Sequence, residues 1–180
     1  FLNFFGAMYS TGVAKTIGGD IVKSAEHIDE HIIVAALIGA IVWNLFTWWI
    51  AMPSSSSHAL VGGIIGAVLV STGAIGLNFW GIGKIVLSLI LSPIIAIVVG
   101  FIIMNIFYLL FGKFRPSSLN NKFKRMQIIT AATMAFSHGS NDAQKSMGII
   151  TLALLSGGYI DVFEVPYYVK ILAATAMACG

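Results

Sequence analysis

Long apolar runs separated by short polar stretches make up most of the chain. Because about 20 consecutive apolar residues form a helix long enough to cross a bilayer, the longer runs predict membrane-spanning helices. The predicted spans cover about residues 1–17, 84–111, 126–155 and 167–180, and a predicted helical hairpin covers about 32–75. Pro93 lies inside the second span, where it predicts a kink or a tilt.

Two polar stretches interrupt this apolar pattern. The first, residues 53–58, holds four consecutive serines after a proline, and the second is residues 137–146. Polar groups at membrane depth are costly, and irregular backbone is tolerated there only where it is buried in protein or lines a cavity. We therefore expect the functional site in these two stretches, with a break in the 126–155 helix at the second.

The composition identifies the class of protein. Hydrophobic residues make up 58% of the chain and charged residues only 9%, whereas a soluble domain has about 25% charged residues. The sequence therefore predicts an all-α, multi-pass integral membrane protein whose surroundings are the lipid bilayer. The chain begins without Met and ends inside an apolar run, which indicates a piece of a longer protein.

Several function classes find no support in the residues. The sequence holds no nucleophile–His–acid arrangement, no nucleotide-binding P-loop and no Cys/His metal motif, so neither an enzyme nor a metal site is expected. The net charge of +3 is concentrated in one loop between helices, and a nucleic-acid partner is not expected.

The charge distribution predicts the orientation in the membrane. Residues 113–125 hold five of the 10 Lys and Arg residues and no acid, so the positive-inside rule places this loop in the cytoplasm. The loops at about 18–31, 76–83 and 156–166 then lie outside. The hairpin must leave and return on the same side, either as two full spans or as one re-entrant hairpin. Its tip at 53–58 has no Lys or Arg, which favours the re-entrant form.

The serine-rich tip predicts an anion site. Ser is a favoured N-cap, and the start of a helix offers free backbone N–H groups and a positive dipole end to an anion such as phosphate. The alternative is that the serines only cap the helix and pack tightly. His58 is either a proton carrier or a donor to a nearby carbonyl. The candidate phosphate-binding residues of the tip are Ser54, Ser55, Ser56 and Ser57.

The second stretch predicts a site for a small, hard cation or a proton. Asp142 is the acidic residue within an apolar segment, and the side chains around it are rich in oxygen. Lys145 lies on the same helical face and could pair with Asp142. The alternative to a cation or proton site is an internal salt bridge that only holds helices together. The candidates are Ser140 and Asn141 for phosphate, Asn141 and Asp142 for the cation or proton, and His58, His138, Gln144 and Lys145 in support.

Both stretches resemble motifs of the inorganic phosphate transporter family, most closely its bacterial low-affinity branch. Residues 43–66, which include the Pro-Ser-Ser-Ser-Ser-His run, resemble the hairpin of the first half of that family. Residues 136–148, which include Ser-His-Gly-Ser-Asn-Asp, resemble the signature of its second half. The resemblance implies an inverted-repeat fold and symport of inorganic phosphate, free or as a metal–phosphate complex, coupled to H⁺ or Na⁺. It also implies the plasma membrane of a bacterium or archaeon.

The resemblance also implies residue roles. Residues 54–57 would cradle phosphate, and Asn141 and Asp142 would serve the cation and phosphate. Many members have Asn where this chain has Lys145, which favours H⁺ over Na⁺. The first-half broken helix and the second-half hairpin are expected outside this chain, and no cofactor beyond the coupling ion is expected. A passive anion channel built from half-helices is the alternative function, and the sequence leaves a homo-oligomer open.

Overall fold

The computed structural model describes residues 1–23, 28–114 and 116–180. These residues are helical apart from short connections and one isolated β-bridge between Val22 and Leu77, in agreement with the predicted all-α class. A π-helical turn, Thr16–Asp20, and a 3₁₀ turn, Gly73–Gly76, extend two of the helices. The α-helices in chain order are α1 (Leu2–Tyr9), α2 (Gly12–Lys15), α3 (Glu30–Trp49), α4 (Ser56–Thr72), α5 (Phe79–Phe111), α6 (Pro116–Ser156) and α7 (Tyr167–Cys179).

The predicted helical hairpin is present as α3 and α4. The two helices approach closely because Gly63 lies directly against the backbone carbonyl of Ala36, where a Cβ atom would have no room. Ile33 and Val68 are buried in the same core. The chain reverses at Ala51, whose φ of 53° is in the left-handed region. The tip between the two helices therefore holds the first polar stretch, as the sequence predicts.

The predicted span over residues 1–17 is divided between two helices rather than formed by one. Helix α1 ends at Tyr9, Ser10 is extended, and α2 begins at Gly12. The Ser10 Oγ atom accepts a hydrogen bond from the backbone N–H of Gly12, 3.2 Å away. The interruption lies beside α6, whose side chains supply a further acceptor for the new helix start.

The predicted break in the 126–155 helix is wrong. Helix α6 runs without interruption from Pro116 to Ser156, and it includes most of the predicted basic loop. Its polar side chains bond to one another or to the helix backbone at spacings of three and four residues, so they satisfy one another without opening the helix. Arg115 of the basic loop and residues 24–27 lie outside the described residues.

Three of the described helices are long and apolar enough to cross a membrane: Glu30–Trp49, Ser56–Gly76 and Phe79–Phe111. The last of these is α5, whose helical conformation continues through Pro93. Its most apolar window has a mean hydropathy of 2.9 and no buried residue. An apolar helix so fully exposed is suited to contact with lipid or with further protein rather than with water.

The polar stretch of α6 is placed by close packing against α1 and α7. Gly6 of α1 lies against the backbone carbonyl of Phe136, and Gly139 of α6 lies against the backbone of Asn3. Met147 and Val169 are fully buried in the same cluster. This packing turns the remaining face of α6 towards the α3–α4 hairpin and the start of α5.

Candidate functional site

The two polar stretches meet at one cavity of about 590 Å³. The hairpin contributes Ser57, from the first turn of α4, and α6 contributes residues from its polar stretch. The wall is completed by α5 and by residues 10–20, which include α2 and the π-helical turn and are called the first helical region below. The polar and charged lining residues are Ser10, Thr16, Asp20, Ser57, Lys84, Ser88, Ser140, Asn141, Gln144 and Lys145.

A second cavity of about 440 Å³ lies on the other side of Lys145. Its polar lining includes Asn44 of α3, Ser56 of α4 and Asp142 of α6. The consecutive serines Ser56 and Ser57 therefore face different cavities. Lys145 lines both cavities and is the residue that their linings share.

The four serines of the tip have different local roles. Ser54 Oγ accepts a hydrogen bond from Trp43 Nε1 at 3.2 Å. Ser55 is the N-cap of α4, and its Oγ atom accepts the backbone N–H of His58 at 3.4 Å. Ser55 therefore acts as a helix cap, which was the alternative to anion binding, while Ser56 and Ser57 line cavities. The His58 side chain is exposed.

Asp142 is held between two basic side chains of its own helix. Its Oδ1 atom lies 2.6 Å from Lys145 Nζ, and its Oδ2 atom lies 3.1 Å from His138 Nε2. The side chains of Asp142 and Lys145 are 39% and 20% exposed, whereas that of His138 is 57% exposed. The predicted Asp142–Lys145 pair is therefore present, on a face that is open to the second cavity.

Gln144 joins α6 to the interruption between α1 and α2. Its side chain is 1% exposed. The Oε1 atom accepts the backbone N–H of Val13 at 2.7 Å, and the Nε2 atom donates to the carbonyl of Ser140. Val13 lies in the first turn of α2, where backbone N–H groups have no partner within the helix. One buried amide thus supplies the acceptor that this helix start requires.

Five lining residues were missed by the sequence analysis. Asp20 was placed in a polar loop, and Lys84 was treated only as the start of an apolar span. The signal for Lys84 was its spacing of four residues from Ser88, which puts both on one helical face. The missed residues are Ser10, Thr16, Asp20, Lys84 and Ser88.

Metal coordination is not apparent at this site. Within residues 1–23, 28–114 and 116–180, no three His, Cys, Asp or Glu side chains are grouped closely enough to hold a metal ion. The first cavity is instead lined by hydroxyl groups, side-chain amides, two lysines and the carboxylate of Asp20. Its hydroxyl, amide and ammonium groups are donors that can hold an oxyanion.

Comparison with known proteins identifies the family. The model of the phosphate transporter family matches residues 1–122 and 112–180. A probable low-affinity inorganic phosphate transporter of Bacillus subtilis (strain 168) is 48% identical over 181 residues, which are 99% of this chain and 54% of that protein. A protein of the same description from Mycobacterium leprae (strain TN) is 41% identical over 182 residues, covering 99% of this chain and 44% of that protein.

A solved structure described as "The sodium-dependent phosphate transporter" has the same fold, with a TM-score of 0.84 over 99% of this chain and 63% of that chain, at 23% identity. This chain spans about half the length of the Bacillus subtilis relative. The relatives are named as transporters, in agreement with the expectation that the protein is not an enzyme. The apolar helices and the bacterial relatives identify a multi-pass integral protein of the bacterial plasma membrane. The chain belongs to the phosphate transporter family.

Proposed function

We propose that the full-length protein is a symporter that moves inorganic phosphate across the membrane together with H⁺ or Na⁺, and that phosphate occupies the 590 Å³ cavity. The observation that carries this proposal is the common lining of Ser57, Ser140 and Asn141. These residues belong to two polar stretches, 53–58 and 137–146, which are separated by 78 residues of sequence. A shared cavity would allow both polar stretches to bind the same phosphate ion.

The start of α4 provides donors suited to phosphate. The hydroxyl group of Ser55 accepts a hydrogen bond from the N–H of His58, and its carbonyl group accepts one from the N–H of Ala59. By helix geometry, the N–H groups of Ser56 and Ser57 then have no partner within the helix. These free N–H groups, the hydroxyl group of Ser57 and the positive end of the helix dipole together favour an oxyanion.

Lys145 links the phosphate to the coupling ion. Its ammonium group is paired with Asp142, and the residue also lines the phosphate cavity. A proton bound to Asp142 would weaken this ion pair and make the ammonium group available to phosphate. Because such coupling is reciprocal, phosphate bound to Lys145 would raise the affinity of Asp142 for the proton.

This arrangement favours H⁺ as the coupling ion. A Na⁺ ion at Asp142 would have to compete with an ammonium group that already lies 2.6 Å from the carboxylate. The structural relative is described as sodium-dependent, so Na⁺ remains the alternative coupling ion, and the uptake experiment described below includes it. His138, on the second oxygen of Asp142, is placed to exchange a proton with it.

We place the hairpin tip at membrane depth, as in a re-entrant hairpin of an inverted-repeat transporter. Ser57 shares its cavity with Ser140 and Asn141, which lie in the middle third of the 41-residue α6 rather than at either end. A tip at depth makes Ser54→Cys accessible to small thiol reagents but not to a bulky impermeant one. Strong labelling by the bulky reagent from the cytoplasm would favour two full spans instead.

The function is tested by phosphate uptake into proteoliposomes that contain the full-length protein. An imposed inward proton gradient is expected to drive phosphate accumulation, and a protonophore is expected to abolish it. A Na⁺ gradient serves as the parallel arm, and uptake with and without Mg²⁺ separates free phosphate from a metal–phosphate complex. Equilibration without accumulation under every gradient would contradict symport and support the passive anion channel.

A further inference from the structure

Lys84 gives the phosphate cavity a cation that belongs to neither polar stretch. It lies in the second turn of α5, one turn before Ser88, and both residues line the 590 Å³ cavity. Gly81 lies directly against the backbone carbonyl of Asp20, where a Cβ atom would have no room. This contact fixes the start of α5 against the first helical region and brings Lys84 to the cavity wall.

The Lys84 ammonium group is held by a weak contact. Its Nζ atom lies 5.6 Å from the centroid of the Trp80 ring, one turn earlier on α5. Trp80 is itself exposed, and cation–π contacts at exposed sites are weak. An anion that enters the cavity can therefore compete for this ammonium group at little cost.

The two lysines of the cavity differ in their partners. Lys145 lies 2.6 Å from a carboxylate oxygen of Asp142. Within the described part of the chain, Lys84 forms no ion pair with a carboxylate, and Asp20 of the same lining forms none with it. Lys84 is thus the lining cation whose charge is not already offset by a salt bridge.

We propose that Lys84 and the hydroxyl group of Ser88 form a capture site, which binds phosphate on the α5 side of the cavity before it reaches Ser57 and Ser140. This inference rests on the proposed function. An ammonium group at the wall of a cavity raises the local concentration of an oxyanion and its association rate, and salt screens the effect. Ser88 adds a donor on the same helical face.

The test is phosphate uptake by the full-length protein with Lys84→Gln, Lys84→Arg and Lys15→Gln as matched variants. Lys15, at the end of α2, is exposed and lies outside the cavity lining. Lys84→Gln is expected to raise the KM for phosphate about twofold to fivefold, with the maximal rate retained. It should also flatten the salt dependence of kcat/KM. Lys84→Arg should retain most of the affinity, and Lys15→Gln should behave as the unaltered protein.

The outcomes separate this inference from the proposed function. Unaltered protein that takes up no phosphate would overturn both. An unchanged KM and salt dependence in a Lys84→Gln protein that still accumulates phosphate would overturn the capture site alone, as would a lower maximal rate at constant KM. If Lys84→Gln does not reach the membrane, Ser88→Ala decides: a raised KM supports the capture site, and an unchanged KM contradicts it.

Discussion

The two polar stretches are alike in sequence and different in backbone. Each places hydroxyl groups and a histidine between apolar runs. At the hairpin tip the chain leaves the helical conformation after Trp49 and begins a new helix at Ser56. In α6 the helix continues through the whole stretch. A similar polar composition in the two places is thus compatible with two different backbone conformations.

The difference follows from where the polar groups find partners. The tip contains Pro53, which cannot donate within a helix, and Ser55, which caps the helix that follows. In α6 the carboxylate of Asp142 is bonded to side chains three residues later and four residues earlier. The tip therefore starts a new helix at Ser56, whereas the polar side chains of α6 bond along a helix that continues.

The largest expected effect comes from Asp142→Asn, which keeps the shape of the side chain and removes its charge. We expect phosphate accumulation to fall at least about tenfold because the ion pair with Lys145 can no longer be altered by a coupling ion. Proteoliposome uptake under a proton gradient measures this, with equal amounts of inserted protein. The matched double variant Asp142→Asn with Lys145→Gln should also fail to accumulate phosphate. If the double variant regains accumulation, the carboxylate serves only as a structural partner of Lys145.

The next effect concerns stability and the contact between α6 and α2. Gln144→Ala removes the acceptor for the backbone N–H of Val13 in a buried position. We expect a loss of about 1–3 kcal/mol in the free energy of unfolding, since a buried donor is left without a partner. Denaturant unfolding in detergent micelles measures it. Ser146→Ala, at an exposed position of the same helix, is the control and should change little.

Smaller effects on stability and on the KM for phosphate should distinguish a serine that caps α4 from a serine that binds phosphate. Ser55→Ala removes the N-cap of α4 and should lower stability by about 1 kcal/mol, while Ser55→Asn should restore it. Ser57→Ala leaves the cap in place and, because Ser57 lines the phosphate cavity, should change the KM for phosphate more than the stability. Thermal unfolding and uptake kinetics on the same preparations check both. Identical behaviour of the two alanine variants would mean that the serines share one role.

The hairpin tip and α6 differ in how far their structure can be predicted from the sequence. The hairpin and the helix start near Ser56 are predictable because a proline followed by serines is a local signal. The continuity of α6 is not, since the same residue types can open a helix or bond along it. The interruption between α1 and α2 depends on Gln144, 131 residues away from Val13. Lys84 is ambiguous because a lone lysine beside an apolar run is equally typical of an interfacial anchor.

The central claim is that both polar stretches bind one phosphate in one cavity. It is tested most directly by measuring the thiol-reaction rates of Ser57→Cys and Ser140→Cys variants, each made in a Cys179→Ser background because Cys179 is exposed. Phosphate is expected to slow the reaction at both positions with the same half-maximal concentration, while chloride at equal ionic strength has no such effect. Protection at only one position, or at neither, would contradict the shared site.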